Sequence, residues 1–360
     1  MKILSQLLTL FLVVVVATSQ PLSSVDIISR DSELELKNLK KCPEFRGNFT
    51  IDQYQLYPEN ADFSFHTCLL YISAVWNASL AIYDPYSSKI VEVIEFPRLS
   101  HRGTYHLSGI NVDKRTGFIS LVINYFNTIL SGGKDLSGDT FILQWDPVSH
   151  KLVYKINLAH TTRRKYGGFE DVEQDPEGNV YVLGSYPSSI LKVSKDGKKV
   201  VPWYLHDPMI PTVYGFSGLA TTGWTLLVSD TDNKLLRFDL RAEKGEPVIV
   251  PWYPNVTWTE TDAIYLPPRY SGKVLLVAED SVGITVLRSK DGLWHTAEHL
   301  GHIPNTVPNT WTTASVQIGE SVYLIVMDIG DVNNPNAGAG NQSHFPFVDI
   351  TQEIDSLIGL

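Results

Sequence analysis

Carboxylates, amides and aromatic side chains recur at short, separated segments of this chain: Glu59-Asn60, Tyr105-His106, Phe169-Glu170-Asp171, Tyr214-Gly215-Phe216-Ser217, Trp258-Thr259-Glu260-Thr261-Asp262 and Trp311-Thr312-Thr313. A carboxyl group desolvated among Trp, Tyr and Phe holds its proton to higher pH and can serve as a general acid or base. Glu170 and Asp262 are therefore the candidate proton-transfer residues, with His106 and Tyr105 as hydrogen-bond donors. Trp258, Phe216, Trp311, Tyr214, Phe169, Thr312 and Asn124 are the candidate substrate-binding residues. A second chemistry suits the same residue types. Glu170, Asp262 and Asn124 could surround a Ca²⁺-like ion, which takes six to eight oxygen ligands. The plain structural reading is that Asp and Glu at strand ends cap turns.

These segments need a scaffold that brings them together, and the chain carries one as a repeat. In its clearest copy, an alternating segment from Asp171 to Gln174 meets the turn Asp175-Pro176-Glu177-Gly178, and an apolar run from Val180 to Leu183 follows. Short strands at Ile190-Leu191-Lys192-Val193 and Val200-Val201-Pro202-Trp203-Tyr204 complete a four-stranded unit. The apolar second strand recurs from Leu69, Phe118, Val180, Thr225, Val274 and Val322, in steps of 45 to 62 residues. Repeats of this kind predict an all-β, six-bladed β-propeller with four-stranded antiparallel blades, of the gluconolactonase-like type. In such a ring the first strand of each blade lines the central channel, so the carboxylate and aromatic segments fall at its mouth.

The long step contains Asn127 to Asp139, with Ser131-Gly132-Gly133 and Ser137-Gly138, and predicts an insertion loop in the second blade. Asp84-Pro85 and Asp146-Pro147 predict turns in which the Asp side chain bonds the backbone ahead of it. Phe49 to Tyr57 alternates like a strand, and Phe345 to Ile350 could supply another. The last repeat runs short, so the two termini are expected to share one blade and close the ring. His295 and His299 are four residues apart, but they fall where an outer strand is expected and lack a zinc-protease order.

The rest of the composition narrows the class. With 43% hydrophobic and 19% charged residues the chain can build a large core. A net charge of -10 argues against nucleic acid and anionic membrane surfaces as partners. Lys2 followed by an apolar run from Leu7 to Ala17 predicts a secretory signal peptide over residues 1–20, with a leader over 21–40 and one propeller domain over 41–360. No later stretch has the length of a membrane span. A secretory-pathway lumen is oxidising, so Cys42 and Cys68, the two cysteines, are expected to pair. Sequons at Asn48, Asn77, Asn255 and Asn341 predict N-glycosylation. Phosphate-loop, dinucleotide and nucleophile-elbow signatures are missing, and no cofactor or metal is implied.

Several segments carry a resemblance. Cys42-Pro43-Glu44-Phe45-Arg46-Gly47-Asn48-Phe49-Thr50, Tyr57-Pro58-Glu59-Asn60-Ala61-Asp62-Phe63, Gly167 to Pro176, Thr259 to Pro267 and Ala278-Glu279-Asp280 resemble a fungal secretory β-propeller family of secondary-metabolite gene clusters. That family includes a trichothecene-cluster accessory protein and the hetero-Diels–Alderases of tropolonic sesquiterpenoid pathways. The resemblance covers the chain from about Cys42 to Ile350. It implies a cofactor-independent enzyme. Its substrates would be a hydroxymethyl tropolone, dehydrated to an ortho-quinone methide, and a humulene-type sesquiterpene that adds to it by [4+2] cycloaddition. Fold analogy alone offers a metal-dependent lactonase or a non-catalytic binding propeller instead.

Overall fold

In the computed structural model the described residues are 42–328 and 340–360. They form six β-sheets arranged in chain order around an axis, as the repeat predicts. Strand β1 (Phe49–Asp52) belongs to the last sheet. Blade one is β2 (Pro58–Ser64), β3 (Leu69–Ala74), β4 (Ser79–Asp84) and β5 (Lys89–Glu95); blade two is β6 (Tyr105–Val112), β7 (Ile119–Tyr125), β8 (Phe141–Asp146) and β9 (Lys151–Asn157). Blade three is β10 (Gly167–Gln174), β11 (Val180–Tyr186), β12 (Ser188–Val193) and β13 (Val200–Leu205), and blade four is β14 (Phe216–Thr222), β15 (Thr225–Asp230), β16 (Lys234–Asp239) and β17 (Val248–Ile249).

Blade five departs from the simple pattern. Its strand β18 (Trp252–Tyr253) precedes the inner strand β19 (Thr261–Tyr265) and runs parallel to the outer strand β22 (Ala297–Pro304), beyond β20 (Val274–Glu279) and β21 (Gly283–Arg288). Blade six is closed by both ends of the described chain: β23 (Thr310–Ile318), β24 (Ser321–Asp328) and β25 (His344–Asp349) are joined by β1, with Phe49 opposite Phe347. The shared closing blade is the one expected from the short last repeat. Strand β1 ends at Asp52, short of Tyr57, because Gln55 and Tyr57 take left-handed backbone angles of 59° and 39° that leave the extended region. Cys42 and Cys68 are disulfide-bonded, tying the segment ahead of β1 to the β2–β3 turn of blade one.

The sequence pattern of each strand follows its place. Second strands are covered on both faces and are accordingly dominated by apolar residues, as β11 is buried at every residue. Outer strands face water on one side and alternate, as in β5. Asp84 Oδ1 accepts the Tyr86 N–H at 2.9 Å and Asp146 Oδ1 accepts that of Val148 at 2.9 Å, which are the expected turns. Of the histidine pair, His299 lies on outer strand β22 as expected, while His295 precedes the strand. A short helix α1 (Asn127–Leu130) opens the insertion between β7 and β8, and helix α2 (Thr351–Ile358) packs on blades five and six through the buried Ile354.

Inner strands share one irregularity that matters for the site. In all six, the pairing register with the second strand slips: between Pro58 and Ala61, Leu107 and Ile110, Phe169 and Asp171, Phe216 and Gly218, Thr261 and Ile264, and Thr312 and Ala314. Each slip is a β-bulge, which leaves a residue unpaired and re-aims its side chain. Below the bulges, carboxylates brace neighbouring blades. Asp62 Oδ2 accepts the Val112 N–H of blade two at 2.7 Å, and Asp171 Oδ2 accepts the Leu219 N–H of blade four at 2.7 Å. Gly109 and Gly218 let adjacent inner strands approach closely. A Cβ on Gly109 would sit 2.4 Å from the Glu170 carbonyl oxygen, and one on Gly218 would sit 2.6 Å from the Ile264 nitrogen.

Candidate functional site

The bulges open onto one cavity of about 580 Å³ at the mouth where the inner strands begin. That is within the range that small organic ligands occupy. Residues at the slips supply much of its polar wall: Glu59 from blade one, Ser108 from blade two, Glu170 from blade three, Asp262 from blade five and Thr313 from blade six. Asn124 and Asp280 join them from the ends of second strands or just beyond. Apolar side chains make the rest, including Val75, Trp76, Phe126, Ile129, Leu130, Trp311 and Met327. Ile129 and Leu130 belong to the insertion, with Phe126 just ahead of it, so the long repeat step does contribute a wall of the cavity. Tyr214 approaches from the β13–β14 connection and stacks on Tyr186 at 5.2 Å.

Five carboxyl groups, Glu59, Glu170, Glu260, Asp262 and Asp280, share this cavity with no Lys or Arg among its lining residues. Burial, then the neighbouring Asp171 and Asp280, push Glu170 up to about 8, partly offset by the hydroxyl that Ser185 donates to it. Burial, with Asp171, Glu170 and Asp280 nearby, holds Glu59 well above the usual carboxylate range. Asp262 is raised by burial and by Asp280, Glu59 and Glu170. Asp280 is raised to about 7 by burial and by Glu260. Desolvation and mutual repulsion thus act together to keep most of the cluster uncharged near neutrality. His106 is pushed down to about 3 by burial, with its ring stacked 3.6 Å from Phe126 and edge-on to Trp76 at 4.6 Å. It is therefore a neutral imidazole, able to hydrogen-bond but not to act as an acid.

Of the residues singled out from sequence, Glu170, Asp262, His106, Asn124, Trp311 and Tyr214 meet at the cavity. The remainder lie elsewhere. Tyr105 is turned away from its neighbour His106 by strand alternation and packs against Phe141 at 6.1 Å, in the layer between blades one and two. Phe169 is fully buried between blades two and three, Phe216 between blades three and four, and Trp258 stacks on Trp252 at 4.7 Å in the core of blades four and five. These aromatics hold the blades together and do not wall the cavity. Thr312 is buried, with its N–H donated to the Asp280 carbonyl at 2.7 Å, so it fixes the backbone of a cavity residue from behind. Glu59 and Asp280 carried a readable signal, since both occur in the segments that bear the family resemblance. Trp76, Phe126 and Met327 carried none, because they follow or end second strands that read simply as core.

Among the described residues no group of three His, Cys, Asp or Glu side chains is placed to hold a metal ion, and Asn124 Nδ2 donates to Ser108 at 3.1 Å. Among the same residues no helix is long and apolar enough to cross a membrane. The signal peptide, the leader and the lumenal localisation that they imply rest on residues outside those described. Of the sequons, Asn48, Asn255 and Asn341 are exposed, while Asn77 is half-buried beside the cavity residue Trp76.

No family model matches the chain. It is, however, 35% identical over 363 residues to trichothecene biosynthesis protein 14 of Trichoderma arundinaceum, covering 96% of this chain and 99% of that one. The core trichothecene cluster protein 14 of Fusarium sporotrichioides is 32% identical, over 88% of each chain. The chain belongs to the trichothecene-cluster protein 14 family. This chain is thus a propeller related to proteins of fungal trichothecene clusters, whose names specify no reaction. Among solved structures, the Malassezia sympodialis allergen Mala s 1 shares the fold, with a TM-score of 0.73 over 85% of this chain and 96% of that one at 18% identity. Regucalcin from Agrobacterium tumefaciens has a TM-score of 0.52 at 16% identity over 85% and 94% of the two chains. A gluconolactonase from Xanthomonas campestris has 0.52 at 15% over 84% and 89%. At these identities the likeness concerns the fold, which is the gluconolactonase-like propeller that the repeat predicted.

Proposed function

We propose that this protein 14 family member is a cofactor-independent enzyme of fungal secondary metabolism. In this reading it expels water from an uncharged, largely apolar substrate and directs the ring closure that follows. The observation that carries it is the set of carboxyl groups kept uncharged by burial on the wall of a largely apolar cavity. A neutral carboxylic acid near neutral pH can protonate a departing hydroxyl. A water-poor cavity then protects the electrophile so formed, and its shape restricts the approach of the second reacting group.

In the form that the family resemblance implies, the enzyme is a hetero-Diels–Alderase. A hydroxymethyl tropolone loses water to an ortho-quinone methide, and this heterodiene adds across an alkene of a humulene-type sesquiterpene to give a dihydropyran. Trp76, Trp311 and Phe126 supply faces against which a planar diene can stack, and Ile129, Leu130 and Met327 suit a terpene. His106, neutral and buried, can donate a hydrogen bond to the tropolone oxygen that gains electron density.

Asp280 favours a second reading of the same machinery. Its carboxyl is raised only to about 7, so it supplies a base beside the neutral acids. An acid and a base in one cavity could close an ether ring within one molecule, a substrate hydroxyl displacing the departing water. The trichothecene names of the relatives make a terpenoid of that class the substrate to try. The test is to incubate purified protein with hydroxymethyl tropolone and humulene, and separately with hydroxylated trichothecene precursors, and follow water loss and ring formation by mass spectrometry. Faster, stereoselective ring formation that persists with a chelator is expected; rates equal to buffer in both sets would refute the reading.

A further inference from the structure

Among the cavity carboxyls, Glu59 has an oxygen that the protein leaves unanswered. Its Oε2 is buried and meets no hydrogen-bond partner. Glu170 differs, because Ser185 donates a hydroxyl to it. Glu59 sits in the bulge of β2, between the paired residues Pro58 and Ala61, and its side chain lines the same cavity as Glu170, Asp262 and Asp280. The groups that face it are Ser73 from its own blade, Glu170 and Asp171 from blade three, and Asp262 and Asp280 from blade five. An ionised carboxylate there would be an unpaired charge surrounded by like charges, whereas a protonated one carries an O–H that finds no acceptor in the protein. That proton is available only to a ligand. Around it, Asn124 Oδ1 and Thr313 Oγ1 are likewise buried and unpartnered, and both residues line the cavity. The arc formed by blades six, one and two is therefore a hydrogen-bonding face without a protein counterpart.

We propose that Glu59 is the general acid of the site, protonating the departing oxygen of an uncharged, hydroxyl-bearing ligand that Asn124 and Thr313 hold beside it. This rests on the dehydration reading above and assigns the proton to a residue other than Glu170 or Asp262. The step balances within the cavity. The Glu59 O–H bond breaks as a new O–H bond forms on the substrate hydroxyl, and the C–O bond breaks with its electron pair leaving on water. The positive charge left on the substrate is removed when the substrate's own conjugated hydroxyl passes a proton to a second carboxylate of the cavity, Asp280, whose carboxyl is raised only to about 7. The released water then relays the proton from Asp280 back to Glu59, which restores both groups.

The test compares Glu59→Gln with Glu170→Gln. Infrared difference spectra of the ligand-free protein at neutral pH read the C=O band of protonated carboxyl groups, and Glu59→Gln is expected to remove a band present in the wild type. With hydroxymethyl tropolone and humulene as probes, Glu59→Gln is expected to lower ring formation by roughly 10²-fold or more, the contribution of a positioned acid. Quenching of tryptophan fluorescence by the tropolone should survive, because Gln keeps the shape and a donor. An unchanged carboxyl band in Glu59→Gln, or turnover within tenfold of wild type, overturns the proposal. If Glu170→Gln abolishes turnover and Glu59→Gln does not, Glu170 is the acid: the assignment falls while the dehydration reading stands. If the wild type forms no ring product, that reading falls, and loss of the band still decides whether Glu59 is the neutral acid. Should Glu59→Gln fail to fold, Glu59→Asp keeps a carboxyl withdrawn by one methylene; it is expected to shift the band and cut turnover, and an unshifted band overturns the assignment.

Discussion

Replacing Glu170 by Gln should make the protein more stable in alkaline solution and leave it unchanged in acid. In the unfolded chain this carboxyl ionises near its ordinary 4.5, while in the folded protein it holds its proton to about 8. Between those values the folded state binds the extra proton, so raising the pH favours unfolding. Its contribution is thus fully present below pH 4.5, is lost as the pH rises toward 8, and stays lost above. At ~1.4 kcal/mol per pH unit, the interval corresponds to a ceiling of about 5 kcal/mol. Glu170 is only partly buried and touches the cavity, so water relieves part of the penalty. An effect of about 2 kcal/mol is expected, which for a domain of this size is a rise in Tm of roughly 4 °C. Gln preserves the shape and the acceptor for Ser185 but cannot ionise. The assay is thermal or urea unfolding of wild type and variant near pH 4 and near pH 9. Parallel stability curves for the two proteins across that interval would show that Glu170 ionises freely and would remove the physical basis for an uncharged cluster.

Further expectations concern the scaffold. Asp171→Ala strips the acceptor from the buried N–H groups of Val172 and Leu219 and should cost about 2–5 kcal/mol, whereas Asp171→Asn, which keeps an acceptor, should cost less; equal melting temperatures for the two would refute the brace. Gly109→Ala drives a Cβ into the Glu170 backbone, so it should reduce both stability and ring formation, measured by melting and by product yield. Phe126→Ala opens the cavity beside His106 and should weaken tropolone binding seen by fluorescence, while Tyr105→Phe, remote from the cavity, should leave both binding and turnover unchanged. Reducing the Cys42–Cys68 disulfide releases a constraint across 26 residues, and a loss of about 3 kcal/mol is expected in denaturant titrations with and without reductant.

The architecture was legible because the second strands, buried on both faces, write a nearly unbroken apolar run once per blade. The insertion between β7 and β8 was legible as the one long interval between those runs. The site was legible in part, and the bulges explain where the reading stopped. Strict alternation would put Phe169 and Asp171 on one face and Glu170 on the other, so position alone did not separate channel from core. In the folded protein three consecutive residues have three fates: Phe169 joins a core layer, Glu170 lines the cavity and Asp171 braces blade four. The same blindness assigned Trp258 and Phe216 to the cavity wall, when each belongs to packing between blades. Glu59 was visible as the opening residue of an inner strand, but its unanswered oxygen is a property of the assembled ring and of no local pattern.

A residue in a bulge is excused from the strand ladder, and so its identity is only weakly tied to the stability of its blade. Five of the slips therefore amount to sockets around one chamber, at present holding Glu59, Ser108, Glu170, Asp262 and Thr313. Exchanging an acid for an amide or a hydroxyl at a socket alters the chemistry of the chamber while the propeller keeps its shape. A fold built this way can change its reaction one blade at a time.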